Sequence, residues 1–290
     1  MINQLKKNRF KTIGLTLLAL MAFAANSVIC RLALKSDSID ASSFTSIRLI
    51  SGVVMFLILI GFKSESQLPL KKLNTKNLFS AAMLFLYAIT FSFAYISLEA
   101  GTGALILFGS VQLTMITMSI ISGHRLSILE FLGLIFSFSG LIYLVYPTLS
   151  TPSFSGFVLM LISGIAWGNY TLSGKKSNQP FIDTALNFVY TIPFVIVLLL
   201  LTVSQQDISS LGIVYAILSG ALASALGYTI WFKALRGLST TEASVVQLSV
   251  PIIAAFGGLL FVYEPISQRL IFASFLVLGG IFLVTTAKNK

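Results

Sequence analysis

With 290 residues, 56% of them hydrophobic and only 10% charged, this chain lacks the charge to cover a soluble surface, where roughly 25% of residues are charged. Its apolar residues fall in continuous runs of about twenty, which fits helices crossing a core of roughly 30 Å and excludes the ten-residue alternation of a membrane barrel. The single cysteine, Cys30, excludes an internal disulfide and points to no metal cluster, so the net charge of +10 is the remaining feature of composition to explain.

Ten helical spans are predicted in chain order. The first, 12–34, follows "KKNRF" and carries Asn26. Ala22-Phe23-Ala24 imitates a signal-peptide cleavage site, but the apolar run continues to Leu34, so an uncleaved span is expected. The second, 42–62, holds Arg48 in its early turns, and the third, 78–98, holds Tyr87. Between them lies the longest loop, 63–77. The fourth, 102–123, carries Gln112 and ends near His124, which reads as a solvated loop residue. The fifth covers 127–147, and the sixth, 154–174, contains Trp167, Asn169 and Tyr170. The sequon Asn169-Tyr170-Thr171 falls inside that span and is set aside. The seventh, 182–203, has Tyr190. The eighth, 210–233, is rich in small residues (Ala221, Ala223, Ser224, Ala225, Gly227) that suit close helix contact, as do Gly257-Gly258 and Gly279-Gly280 later. It also carries Tyr228 and Trp231, the latter expected in an interfacial belt beside Lys233. The ninth, 240–262, contains "SVVQLSVP", with Gln247 four residues before Pro251, and 266–287 is the tenth.

The basic residues orient these spans. With the N-terminus in the cytoplasm, nearly all Lys and Arg collect inside, from Lys6 to Lys290, leaving only Arg31, Lys35, Arg48 and Arg269 elsewhere. That asymmetry predicts cytoplasmic N- and C-termini in the cell inner membrane. It also accounts for the charge by topology and anionic lipid, so no nucleic-acid partner is expected.

Residues 104–145 and 243–284 align without gaps, with Ala104/Ala243, Ser110/Ser249, Val111/Val250, Phe136/Phe275, Gly140/Gly279, Ile142/Ile281, Leu144/Leu283 and Val145/Val284 identical. Helices 1–5 then correspond to 6–10. Five is odd, so the halves cross in opposite senses. The expected fold is all-α and membrane-integral, with ten transmembrane helices as two inverted five-helix repeats, 1–148 and 149–290.

The stretch "LGYTIWFKALRGLSTTEASVVQLSVPIIAAFGGLLFVYEPIS" (226–267) resembles a signature region of the EamA-type transporters of the drug/metabolite transporter superfamily. Residues 90–116 look like its first-half counterpart, "FTSIRLISGVVMFLI" resembles the family's second helix with its early arginine, and "AWGNY" resembles the start of the second half. The resemblance implies ten helices, a central cavity, and export or exchange of amino acids, other metabolites or drugs. Two positions depart from that pattern. Gln112 stands where the family usually has proline, and Arg125 replaces the usual glutamate that the second half keeps as Glu264.

Polar side chains are costly in hydrocarbon unless they face a cavity or a partner. The candidate substrate-binding residues are therefore Asn26, Arg48, Tyr87, Gln112, Trp167, Tyr190, Tyr228 and Gln247. Asn26 and either glutamine could equally join helices. Arg48 either snorkels outward or presents a cation to a carboxylate. Pro251 removes the hydrogen-bond partner of the Gln247 carbonyl, which predicts a hinge near the midplane with Gln247 turned toward the cavity. Glu99, Glu130, Asp183, Glu242 and Glu264 fall near helix ends. A facilitator or exchanger driven by the substrate gradient is thus expected, since a proton- or sodium-coupling carboxylate usually lies deeper. No phosphate-binding loop, cofactor motif or metal cluster is found.

The leading function is a secondary transporter of small organic metabolites, amino acids foremost. Nucleobases, other metabolites and hydrophobic drugs are rival cargoes. A lipid-modifying enzyme would need an acid/base or nucleophile constellation, and a receptor or scaffold would need an extramembrane domain. Neither is present in the sequence, and the expected partners are a small-molecule substrate and membrane lipid around a monomer.

Overall fold

The computed structural model describes residues 2–62, 75–121, 123, 127–146, 152–175, 177, 179–203, 207–238, 243 and 246–287. His124, Arg125, Glu242 and residues 63–74 of the long loop lie outside the described residues. The helices are α1 (Ile2–Lys35), α2 (Ala41–Gly61), α3 (Thr75–Tyr95), α4 (Ala100–Ile121), α5 (Ile128–Val145) and α6 (Phe154–Lys175). α7 runs Pro180–Tyr190 and resumes as Ile192–Thr202. α8 runs Ser210–Ile217, turns π-helical over Leu218–Leu226 and continues through Gly227–Leu235. α9 is Val250–Gly257 closed by a π turn at Gly258–Val262, and α10 is Gln268–Ala287.

Among the described residues, seven helices are long and apolar enough to cross a membrane: α1, α2, α3, α4, α6, α7 and α8. The apolar segments of α5, α9 and α10 (Ile128–Leu144, Val250–Val262 and Gln268–Val284) are shorter. The protein is an all-α, multi-pass membrane protein. Helix is the natural outcome, because hydrocarbon offers backbone N–H and C=O groups no partner outside their own segment. Large apolar side chains such as Leu200, Leu201, Phe261 and Phe275 face outward, as a lipid-bathed surface allows.

Helix starts are marked by local chemistry. Asp40 accepts from the Ser42 and Ser43 amides at the head of α2. Ser127 and Glu130 form a reciprocal capping box on α5. Ser209 caps α8 through the Gly212 amide.

α5 packs against α10, α3 against α6 and α7, and α4 against α6 and α9. α1 packs against α8 and α9, and α2 against α7 and α8. Two of these crossings depend on glycine. A Cβ on Gly220 of α8 would collide with the Arg48 carbonyl and the Ser51 hydroxyl of α2. A Cβ on Gly133 of α5 would lie 2.5 Å from the Gly280 carbonyl of α10. The expected close contact at Gly257, Gly258 and Gly280 is present, whereas Gly279 faces open space.

One end of the bundle is held together by bonds between elements distant in sequence. The loops after α1 and α7 pair through Asp40 N–Asp207 O and Ser209 N–Ser38 O, both 2.9 Å. Beside them, Arg31 Nε donates to Glu264 Oε1 at 2.6 Å, and Arg31 Nη1 donates to the Tyr95 and Ile96 carbonyls at 2.9 and 2.8 Å. Glu264 Oε2 accepts the Ala100 amide at 2.8 Å, at the N-terminus of α4. Tyr263, left-handed at φ 57°, turns the chain so that Glu264 folds back, its amide bonding the Gly258 carbonyl.

Two helices differ from expectation. α9 does not run unbroken from 240. Leu248 and Ser249 form a turn, and Pro251 sits in the first turn of the helix that begins at Val250. The missing N–H there costs no intrahelical bond, so the expected mid-helix kink is replaced by a break before the proline. α7 is interrupted at Thr191, two residues before Pro193, whose ring cannot continue the ladder.

Candidate functional site

A buried polar group centres on α2. Arg48 is 1% exposed, although arginine is almost never fully buried without a partner. The snorkelling alternative therefore fails: Gly220 lets α8 close on the Arg48 backbone, and the guanidinium bonds side chains of α3 and α8. Arg48 Nη2 donates to the Tyr87 hydroxyl of α3 at 3.1 Å, and Nε donates to Ser224 Oγ of α8 at 3.3 Å. Asn26 Nδ2 of α1 donates to the same Tyr87 hydroxyl at 3.4 Å, while Ser219 Oγ of α8 donates to Asn26 Oδ1 at 2.6 Å. Four helices thus meet through five side chains. The guanidinium also lies 4.9 Å from the Phe91 ring centre and 5.2 Å from that of Tyr87, in cation–π range.

An aromatic wall adjoins this network. Trp167 of α6 lies 4.8 Å from Tyr87 and 4.7 Å from Tyr228, centre to centre. Phe23 of α1 touches Trp167, Tyr228 and Trp231 at 6.3, 6.0 and 5.7 Å. Trp231 is therefore 2% exposed inside the bundle, which corrects its expected place in an interfacial belt. It sits where α1 crosses α8, and the ring packs against Phe23 in place of headgroups.

Of the predicted residues, Asn26, Arg48, Tyr87, Trp167 and Tyr228 converge. Gln247 is buried, but its Nε2 donates at 3.0 Å to the Ala243 carbonyl one turn back, so it serves its own segment. Gln112 is buried in α4. Tyr190 is half-buried beside the interruption of α7, and Asn169 binds the Ile165 carbonyl of its own helix. Sequence reasoning missed Phe91 and Ser219, and it read Ser224 only as a small packing residue. The π-helical stretch "LSGALASAL" carries both serines. π segments frequently occur at functional sites, and its only sequence signal is hydroxyls inside an apolar run.

Just outside the spans, Glu99 is half-buried between α3 and α4. Burial pushes its carboxyl above the ordinary value and Glu264 adds to the shift, while Arg31 and Lys35 oppose it. Among the described residues no group of His, Cys, Asp and Glu is arranged to hold a metal.

Residues 154–286 match the model of the EamA-like transporter family. The chain is 45% identical to "Uncharacterized protein PA1977" of Pseudomonas aeruginosa over 94% of both chains. It is 21% identical to "Uncharacterized transporter YoaV" of Bacillus subtilis, over 83% of this chain and 86% of that one. It is 22% identical to "Probable amino-acid metabolite efflux pump" of Salmonella typhimurium, over 68% and 71%. A solved structure described only as "Crystal structure of protein" matches with a TM-score of 0.64 and 13% identity, covering 93% of this chain and 97% of that one.

Proposed function

The chain belongs to the EamA-like transporter family, and from that premise we propose that it is a secondary transporter of small organic metabolites, amino acids foremost. The observation that carries this reading is the buried Asn26–Tyr87–Arg48–Ser224 network beside an aromatic wall. Ligand sites combine mostly apolar and aromatic surface with a few placed polar groups. The amino-acid preference draws support from the name of the Salmonella typhimurium relative.

The transporter has ten spans in two inverted halves, 1–148 and 149–290. The packing supports this. Exchanging α1–α5 with α6–α10 turns α3·α6 into α8·α1, α4·α6 into α9·α1, and α2·α8 into α7·α3, all of which are contacts in this bundle. The pairs α5·α10 and α4·α9 map onto themselves. The site then lies between halves, with Asn26, Arg48 and Tyr87 from the first and Trp167 and Tyr228 from the second, as inverted-repeat transporters place their cargo. The Arg31–Glu264 end is one gate of an alternating-access cycle. The distribution of Lys and Arg favours an inner-membrane protein with cytoplasmic termini.

Counterflow into proteoliposomes tests the reading. Vesicles preloaded with individual amino acids should transiently accumulate the labelled form of at least one. Folded protein that supports no counterflow with any amino acid, nucleobase or organic acid would overturn it.

A further inference from the structure

We infer that the Arg48 site takes its solute by a carboxylate group and does not require the solute to carry an amine. The inference rests on the transport reading above and deepens it to a substrate class.

Arg48 is left with an incomplete set of hydrogen bonds. A guanidinium has five N–H donors in a planar fork. Here Nε is committed to Ser224 and Nη2 to Tyr87. Nη1 is buried and has no hydrogen-bond partner. The rings of Tyr87 and Phe91 stabilise the cation without accepting those N–H groups in the manner of an oxygen. The Tyr228 hydroxyl, close to Tyr87, Ser224 and Arg48, is a second buried group that completes no hydrogen bond. Two unsatisfied donors at one place in the bundle are an exception that calls for a partner, because buried polar groups are normally paired.

Charge narrows the partner. Among the described residues the ion pairs of the bundle are Arg31 and Lys35 with Glu264, and Arg48 belongs to neither. The groups facing Arg48 are neutral: Asn26 and Cys30 on α1, Tyr87 and Phe91 on α3, and Ser224 and Tyr228 on α8. The site thus carries one uncompensated positive charge in a water-poor interior. A neutral acceptor would satisfy the N–H groups and leave the charge. A carboxylate satisfies both, since it brings a negative charge and one oxygen for each of the two unpartnered donors, Nη1 and the Tyr228 hydroxyl. With one oxygen on Nη1 and the other on the Tyr228 hydroxyl, the solute lies beside the Tyr228 ring, which packs against Trp167 and Phe23. An ammonium group gains at most a ring face there and adds to the positive charge, so a deaminated acid should bind at least as well as its amino acid.

A matched set separates the possibilities: 3-phenylpropionate, phenylalanine, phenylalanine amide and phenethylamine. Binding is read by thermal shift of the purified full chain, and transport by counterflow. Both acids are expected to bind, with 3-phenylpropionate equal or tighter and the amide and amine at least tenfold weaker. Arg48→Gln should lose at least tenfold for the acids, with Arg48→Lys intermediate and Tyr228→Phe weakened severalfold. The wild-type comparison stands even if a variant fails to fold. Amide or amine binding equal to the acid, phenylalanine bound without 3-phenylpropionate, acid binding unchanged in Arg48→Gln, or no binding by any of the four would each overturn the inference. Acid binding without counterflow keeps the carboxylate site and counts against transport. Counterflow of a neutral solute that survives Arg48→Gln keeps transport and removes the carboxylate site.

Discussion

Tyr87 is the hinge-pin of the site's chemistry, because one hydroxyl receives both Arg48 and Asn26. Tyr87→Phe keeps the ring against Trp167 and deletes that acceptor. A hydrogen bond to a charged group contributes about 1.5–3 kcal/mol, so substrate affinity or uptake should fall roughly tenfold or more, measured as the concentration dependence of counterflow. Gln247 illustrates the opposite case: a glutamine in an apolar run announces that it needs a partner, but its partner is the local Ala243 carbonyl. Glu99 supplies a pH signature. Its folded carboxyl titrates above the ordinary value, chiefly through burial and then Glu264. The folded chain therefore holds that proton to higher pH than the unfolded chain. This contribution to stability is full below the unfolded value, about 4.3, and is lost as pH rises through the folded one. Thermal unfolding between pH 4 and pH 7 should show this loss, and Glu99→Gln should flatten it.

At the scale of helices, Glu264 joins three elements that are distant in sequence. It pairs with Arg31 of α1, receives the first amide of α4, and leads from the left-handed turn that ends α9. Removing one partner of a buried ion pair costs about 3–5 kcal/mol, because the other charge stays desolvated. Glu264→Gln should accordingly lower the unfolding temperature by several degrees, and should raise labelling of a cysteine introduced at Ser97, on the same end. An unchanged melt would mean that the pair is not a tie. The helices also show why patterning stops short. Pro251 and Pro193 are both visible in the sequence, and each sits in the first turn of a helical segment that follows a break. The breaks themselves, at Thr191 and at Leu248–Ser249, are turns that hydropathy does not register.

For the whole molecule, the described carboxylates lie toward the ends of the bundle, with Glu130 capping α5 and Glu264 tying α1 to α4. Transport should therefore persist when the proton gradient is collapsed and the substrate gradient is kept. Uptake abolished by that treatment alone would point to a coupled mechanism. Membrane class and helical content follow from the sequence itself, because transfer of apolar side chains into hydrocarbon is a local and nearly additive quantity, and the family is carried by the signature stretch 226–267. So does the identity of the few polar residues that must find partners, Arg48, Asn26 and Tyr87 among them. Which of them meet was decided only by the tertiary structure. The bonds at Arg48 and Asn26 span separations of 39, 61, 176 and 193 residues. They depend on the rotation of each helix and on how closely glycines such as Gly220 let neighbours approach. A hydropathy pattern sets each helix in the membrane but leaves its rotation free, and packing between helices fixes that rotation.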